Sequence, residues 1–186
     1  NGGYVSAIGG MDAAGIGGGE NVGGCAVTIN GGVVYAQGND SPSIGGGARD
    51  IGSSGNGTFS TGENGNAVIV APQGIGDVSG YAEWDGIFVS YAGDSSTATV
   101  SDDGTVVLSD SDANIQVWGG PEIDYPLSVA ADTELRIVRN SENSAPATLT
   151  VAEDGSLTNN GAITVEEDCA LVLEGGLSQT SGGGTL

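Results

Sequence analysis

The chain has no lysine and no histidine, and its only cationic side chains are Arg49, Arg136 and Arg139. Each absence removes a chemistry. Without imidazole there is no histidine base, no Ser-His-Asp triad and no histidine metal ligand. Without lysine there is no Schiff base and no Lys-Asn isopeptide cross-link. Three arginines face 24 carboxylates, for a net charge of −21 at pH 7. That charge repels polyanions and anionic lipid surfaces, because neutralising phosphates takes clustered Lys and Arg. Nucleic acid is therefore not an expected partner, whereas cations, neutral glycans and basic surfaces remain open.

Cysteine is scarce too. Cys25 and Cys169 stand near opposite ends of the chain in GGCAVTI and EDCALVL, each just before a strand-like run. Both are expected to fill small core slots. If the intervening chain stacks in layers about 4.8 Å apart, the two thiols lie more than about 20 Å from each other, beyond disulfide reach. No run of about twenty apolar residues exists, so no membrane insertion is expected. The chain opens at Asn1 without the charged and apolar regions of a signal peptide, as expected of a mature protein or an excised segment. The glycine-rich, lysine-free, acidic composition points to a secreted or cell-surface location.

Glycine is abundant, at 36 of 186 residues, but it lacks the every-third-residue spacing of collagen and is interrupted by Val, Ile and Leu pairs. That mixture suits short strands and tight corners. No window of a dozen residues carries a helical period, and the short runs alternate with period two. Internal repeats are visible in both halves. Ile-Gly-Gly recurs as AIGG at 7–10, GIGGG at 15–19 and SIGGG at 43–47, so Ile16 to Ile44 spans one repeat. Later, LSV at 127–129, LTV at 149–151 and LVL at 171–173 follow at steps of about 22 residues, and Leu135 is followed by Leu157 at the same step.

A single such repeat cannot bury its own apolar face, but stacked repeats line up interior columns. The pattern predicts an all-β chain: a right-handed parallel β-helix, or β-solenoid, of roughly seven to eight coils over residues 1–186. Within it, glycine-rich coils occupy 1–76, an irregular aromatic and acidic middle occupies 77–125, and regular coils of about 22 residues occupy 126–186. Interior columns are expected through Leu127, Leu149 and Leu171 and through Leu135 and Leu157. Asn-Gly pairs such as Asn30-Gly31 and Asn160-Gly161 are candidate corners.

GIGGG, VTINGG and SIGGG resemble the glycine-rich repeats of large surface proteins from Gram-positive and gut bacteria, and LTVAEDGSLTNNGAITVEED is similar to a second repeat style of the same proteins. The resemblance covers roughly residues 5–50 and 125–180. It implies a pectate-lyase-like β-helix and the role of an adhesin or carbohydrate-binding surface protein.

Candidate chemistry concentrates in the middle. In YAEWDG, Glu83 and Asp85 flank Trp84. Flat rings stack on sugar faces and carboxylates accept hydroxyl hydrogen bonds, so Tyr81, Glu83, Trp84, Asp85 and Trp118 form a candidate glycan-binding patch. The same two carboxylates are the nearest thing to a glycosidase pair. The alternative for Trp84 is to cap the core. Asp102, Asp103, Asp110 and Asp112 flank one strand and are candidate calcium ligands, although they match neither the EF-hand loop nor the nonapeptide calcium repeat. Otherwise no cofactor is expected. Arg136 and Arg139, in LRIVR, are expected to share a solvated side away from the core. The functional expectation is a non-catalytic extracellular surface or adhesin segment that contacts glycans, a cell-surface protein or itself. The alternatives are a carbohydrate-binding or carbohydrate-active module and a subunit of a head-to-tail stacked fibre.

Overall fold

The computed structural model describes residues 3–48, 57–62, 65–76, 78–79, 84–90, 96–141, 143–174 and 176–178. Among these the chain is all-β, with no helix, and so none long and apolar enough to cross a membrane. The strands come in successive threes. First are β1 (Tyr4–Ile8), β2 (Ile16–Gly17) and β3 (Ala26–Ile29); then β4 (Gly32–Gln37), β5 (Ile44–Gly45) and β6 (Gly57–Thr61); then β7 (Ala67–Val70), β8 (Ile75–Gly76) and β9 (Val78–Ser79). After β10 (Gly86–Val89) and β11 (Ala98–Val100) the rhythm resumes with β12 (Val106–Leu108), β13 (Ile115–Trp118) and β14 (Glu122–Ile123). Next come β15 (Pro126–Val129), β16 (Glu134–Ile137) and β17 (Thr148–Val151), then β18 (Ser156–Asn159), β19 (Ala162–Val165) and β20 (Ala170–Leu173), and finally β21 (Gly176–Ser178).

Strands three places apart pair in parallel, giving β2-β5-β8, β3-β6-β9, β14-β17-β20 and the run β12-β15-β18-β21. One seven-stranded sheet, β1-β4-β7-β10-β13-β16-β19, passes through both halves of the chain. Among the described residues its only antiparallel ladder joins β10 to β13, and in another sheet an antiparallel pair joins β11 to β12. Both reversals fall within 77–125, where the sequence repeat blurs.

The long sheet has two unlike faces. On one, Val33, Val68, Ile87, Val117 and Ile137 stand side by side across the ladder, all in the larger hydrophobic core. On the other, the row runs Val34, Ile69, Phe88, then Gln116, Arg136 and Thr164. The first three belong to a smaller core with Ile29, Ile44 and Phe59. The strand sequences explain the change. VVYA, AVIV and GIFV are continuous apolar runs suited to burial on both faces, while IQVW and ELRI alternate and bury one. The residues of β7 and β10 are all buried, whereas β13 and β16 bury every second residue.

The Ile-Gly repeat is realised as an in-register stack: Ile16 lies opposite Ile44 and Ile44 opposite Ile75, with Gly17, Gly45 and Gly76 beside them. Ile8 of AIGG does not join that stack; it lies in β1 opposite Gln37. The leucine columns also differ from expectation. Leu149 does lie opposite Leu171, but Leu127 lies opposite Leu157 and Leu135 opposite Ile163. The connection from Ile137, the end of β16, to Thr148, the start of β17, is long, which lengthens that round. The matching step from Leu127 to Leu149 therefore links strands of two different sheets.

Part of the acidity is conformational. Asp12, Asp40, Asp132 and Asp168 all have positive φ, between 56° and 64° for all but Asp40 at 54°. Asp tolerates the left-handed region because its short side chain hydrogen-bonds locally. Of the two cysteines, Cys169 packs partly buried against the larger core and its Sγ accepts a hydrogen bond from the Ala147 N–H (3.4 Å). Cys25 is exposed rather than in a core slot, since among the described residues the edge strand β3 that follows it has no strand on its outer side to cover it.

Two devices tie the assembly together, and each makes an expectation. Gly45 has φ 137°, and a Cβ there would come within 1.8 Å of the Gly76 carbonyl oxygen. Gly45→Ala is expected to cost more than about 2 kcal/mol in urea denaturation, as overpacking against backbone does. Gly10→Ala, where nothing lies within 4 Å, should change little. The second device is Tyr125, whose hydroxyl donates to the Asn66 carbonyl (3.0 Å) while Asn66 Nδ2 donates to Asp124 (3.1 Å). Burial, and then the charge of Asp124, raises the Tyr125 pKa well above its ordinary value. A phenol raised in the folded state stabilises fully below its unfolded pKa of about 10 and loses that contribution as pH climbs beyond it. The urea midpoint should therefore fall above that pH, and fall less in Tyr125→Phe.

Candidate functional site

The site forms where the long sheet changes character. Trp84 enters just before β10 and is 3% exposed, and its Nε1–H donates to the Phe59 carbonyl (2.9 Å). Its ring packs edge-on to Phe59 at 4.8 Å and stacks on both Phe88 and Trp118 at 5.8 Å. Phe88 and Trp118 lie 5.1 Å apart. Trp84 thus closes the smaller core. Trp118 is only partly buried; it comes from β13, across the antiparallel ladder.

Asp85 is fixed by its neighbours. Its backbone N–H donates to Thr61 Oγ1 (2.8 Å), and its carboxylate accepts the Gly120 N–H (2.9 Å). The carboxylate sits so close over Gly119 that a Cβ there would fall within 1.7 Å of Oδ1, which accounts for a glycine directly after Trp118. Of the expected patch, Trp84 and Trp118 are brought together and Asp85 is nearby in a structural bond. Tyr81 and Glu83 lie outside the described residues, so the Glu83/Asp85 pair does too.

Beside the rings is a cleft of about 180 Å³, lined by Gly74, Ile75, Trp84, Phe88, Gln116 and Trp118 among others. Gln116 Oε1 accepts the Trp118 Nε1–H (3.1 Å). Next along the ladder, Asn114 Nδ2 donates to Ser90 Oγ (3.0 Å). Of the residues lining the cleft, Trp118 and Trp84 belong to the patch expected from the sequence, whereas Phe88, Ser90 and Gln116 do not. The alternation in GIFVS and IQVW carries the signal: it puts Phe88 with Ser90, and Gln116 with Trp118, on a single face.

The four aspartates proposed for calcium do not come together. Asp102 and Asp103 sit at the turn of the β11–β12 hairpin, while Asp110 and Asp112 follow the far end of β12. Asp103 accepts the Thr105 N–H (3.1 Å); Asp110 accepts from Thr97 Oγ1 and from the Asp112 N–H, each at 2.9 Å. Among the described residues no group of three or more His, Cys, Asp or Glu side chains is gathered as a metal site would need. The arginines do share a side, although their spacing of three is not an alternation: β16 ends at Ile137, and Arg139 lies beyond it. Arg136 pairs with Glu166 at 3.2 Å and Arg139 with Asp168, while the Arg139 N–H also reaches Glu166 (3.2 Å).

Asp103 titrates below the ordinary carboxylate range, held there first by the Thr105 backbone N–H and then by its hydroxyl. The stabilisation it gives is present above the unfolded pKa and disappears as pH falls through the lower folded value. A carboxyl-carbon NMR titration should place its midpoint below 3.8, and Thr105→Pro, which removes the N–H, should move it upward.

In comparison with known proteins, the chain matches no family model, and no curated protein or solved structure is significantly similar to it.

Proposed function

We propose that the chain is a non-catalytic β-solenoid that serves as a rigid display segment at an extracellular surface. The observation that carries this reading is the pairing of strands one round apart, parallel and in register, in both halves of the chain. Three-sided coils stacked in this way line up like residues in columns such as Ile16, Ile44 and Ile75 or Leu127 and Leu157, which stiffens the stack without a large globular core. A right-handed sense agrees with the strong preference of parallel crossovers. The likeness of GIGGG, SIGGG and the later Leu-Thr-Val repeats to bacterial surface-protein repeats supports a secreted or cell-surface location and an adhesive role.

Support for a non-catalytic role comes from how the charged candidates are used. Asp85 holds Gly120, Asp110 holds Thr97 and Asp112, and the two described arginines hold Glu166 and Asp168. Each is committed to structure rather than left facing a cleft. Growth into a head-to-tail fibre fits less well. β1 and β19, at the two ends of the long sheet, run in opposite directions, so a translated copy would meet β1 with an antiparallel strand whose core lies on the other face.

A purified chain that sediments as a monomer at high concentration and leaves acidic and neutral polysaccharides uncleaved is the expected result. Regular filaments under the electron microscope would replace display with fibre formation. Release of reducing ends or unsaturated products would replace it with catalysis.

A further inference from the structure

The cleft beside Trp118 exists because the row Val34, Ile69, Phe88 ends at Gln116: apolar cover stops there and solvent begins. One strand pair therefore offers two aromatic rings followed at once by an amide and a hydroxyl. Gln116 accepts from Trp118 through Oε1, which leaves the Nε2 hydrogens to donate. Ser90 Oγ accepts from Asn114 Nδ2, which leaves its own hydrogen to donate. The space, about 180 Å³, suits one six-membered ring, since an apolar cavity of about 150 Å³ takes a single benzene.

We propose that this cleft binds a single neutral pyranose, its C–H face against Trp118 and Phe88 and its hydroxyl rim meeting Gln116 Nε2 and Ser90 Oγ. A pyranose has one apolar face and a polar edge, and the wall of the cleft has the same two-part character. A plain aromatic ring would leave both donors unpaired. A carboxylated sugar would approach a protein of net charge −21 against repulsion. The inference rests on the display reading, to which it adds the chemical class that the displayed surface recognises.

The chain has two tryptophans, so a ¹H–¹⁵N spectrum carries two indole signals, and they report different places. The Trp118 indole N–H contacts Gln116, whereas that of Trp84 is bonded to the Phe59 carbonyl. Methyl glycosides of glucose, galactose, mannose and N-acetylglucosamine should be titrated to about 50 mM, which covers the millimolar affinity open to one ring. At least one is expected to move the Trp118 signal and leave that of Trp84 nearly still, with glucuronate weaker. Gln116→Ala should weaken binding roughly three- to tenfold, the effect of one lost hydrogen bond. Thr164→Ala, in the same row of the sheet but two strands away, should bind as the parent does. Several results would overturn the site: no glycoside moving the Trp118 signal, glucuronate binding as well as glucose, Gln116→Ala without effect, or phenol and indole binding where sugars do not. A well-folded monomer that ignores every glycoside would remove this site and leave the display reading standing. Filaments would remove the display reading and leave the titration unaffected.

Discussion

The ladder between β10 and β13 is the constraint on which the other features depend. Gly86, Ile87, Phe88 and Val89 face Trp118, Val117, Gln116 and Ile115 in the only antiparallel ladder of a sheet that is otherwise parallel from end to end. At that ladder the strand direction reverses, and the protected face changes as well: the smaller core lies on one side of the sheet and ends there, while the larger core continues on the other. In the solenoid reading the two changes are coupled. Reversing the strands alone would invert the hand of the coils, and moving the core to the opposite face inverts it again. Both stacks then wind in the same sense, which is what the right-handed preference of parallel crossovers requires.

The energetic weight of the structure lies in the strands that serve both cores. β4, β7 and β10 bury both of their faces, so their Val and Ile side chains contribute twice over what a one-sided strand does. Fully burying each such side chain is worth roughly 1.5–3 kcal/mol. Charge adds little by comparison. The described ion pairs are partly exposed, and pairs of that kind contribute about 0–1 kcal/mol. The acidity is better understood through its positions. Several aspartates occupy left-handed corners, and others cap turns at Thr105 and Gly120, so carboxylates perform local backbone work that Asn or Gly performs elsewhere.

How much of this could be read from the sequence depended on what the repeats encode. Ile16, Ile44 and their glycines are true register partners, because a corner that admits no Cβ is specified by residue identity and recurs wherever the stack does. Leu149 and Leu171 were legible for a similar reason: no long loop intervenes. Leu127 was not, since a loop of variable length shifts the spacing without altering the strand motif. The reversal left only an indirect trace, the contrast between unbroken runs such as AVIV and alternating ones such as IQVW, and period alone does not say which way a strand points. At the site, YAEWDG drew notice to Trp84 and Asp85, which the fold uses for core closure and a turn. The groups that line the cleft sit in strands that read as ordinary sheet, and only the pairing of Phe88 with Gln116 reveals that they meet.

That pairing also explains why the cleft lies in the middle of the chain rather than at an end. Where the stack is most regular, layers such as Ile16, Ile44 and Ile75 cover one another with residues of the same kind. Where one face of a continuous sheet passes from core to solvent, the last apolar residue must stand beside the first polar one, and no repeat can satisfy both. Phe88 and Gln116 are that pair, and Trp84 and Trp118 fill most of the step between them. The remainder is a half-covered space with a ring on one side and an amide on the other. The departure from local regularity that weakens the sequence pattern is therefore the same departure that opens the cleft, as expected where consistency among levels of structure breaks down.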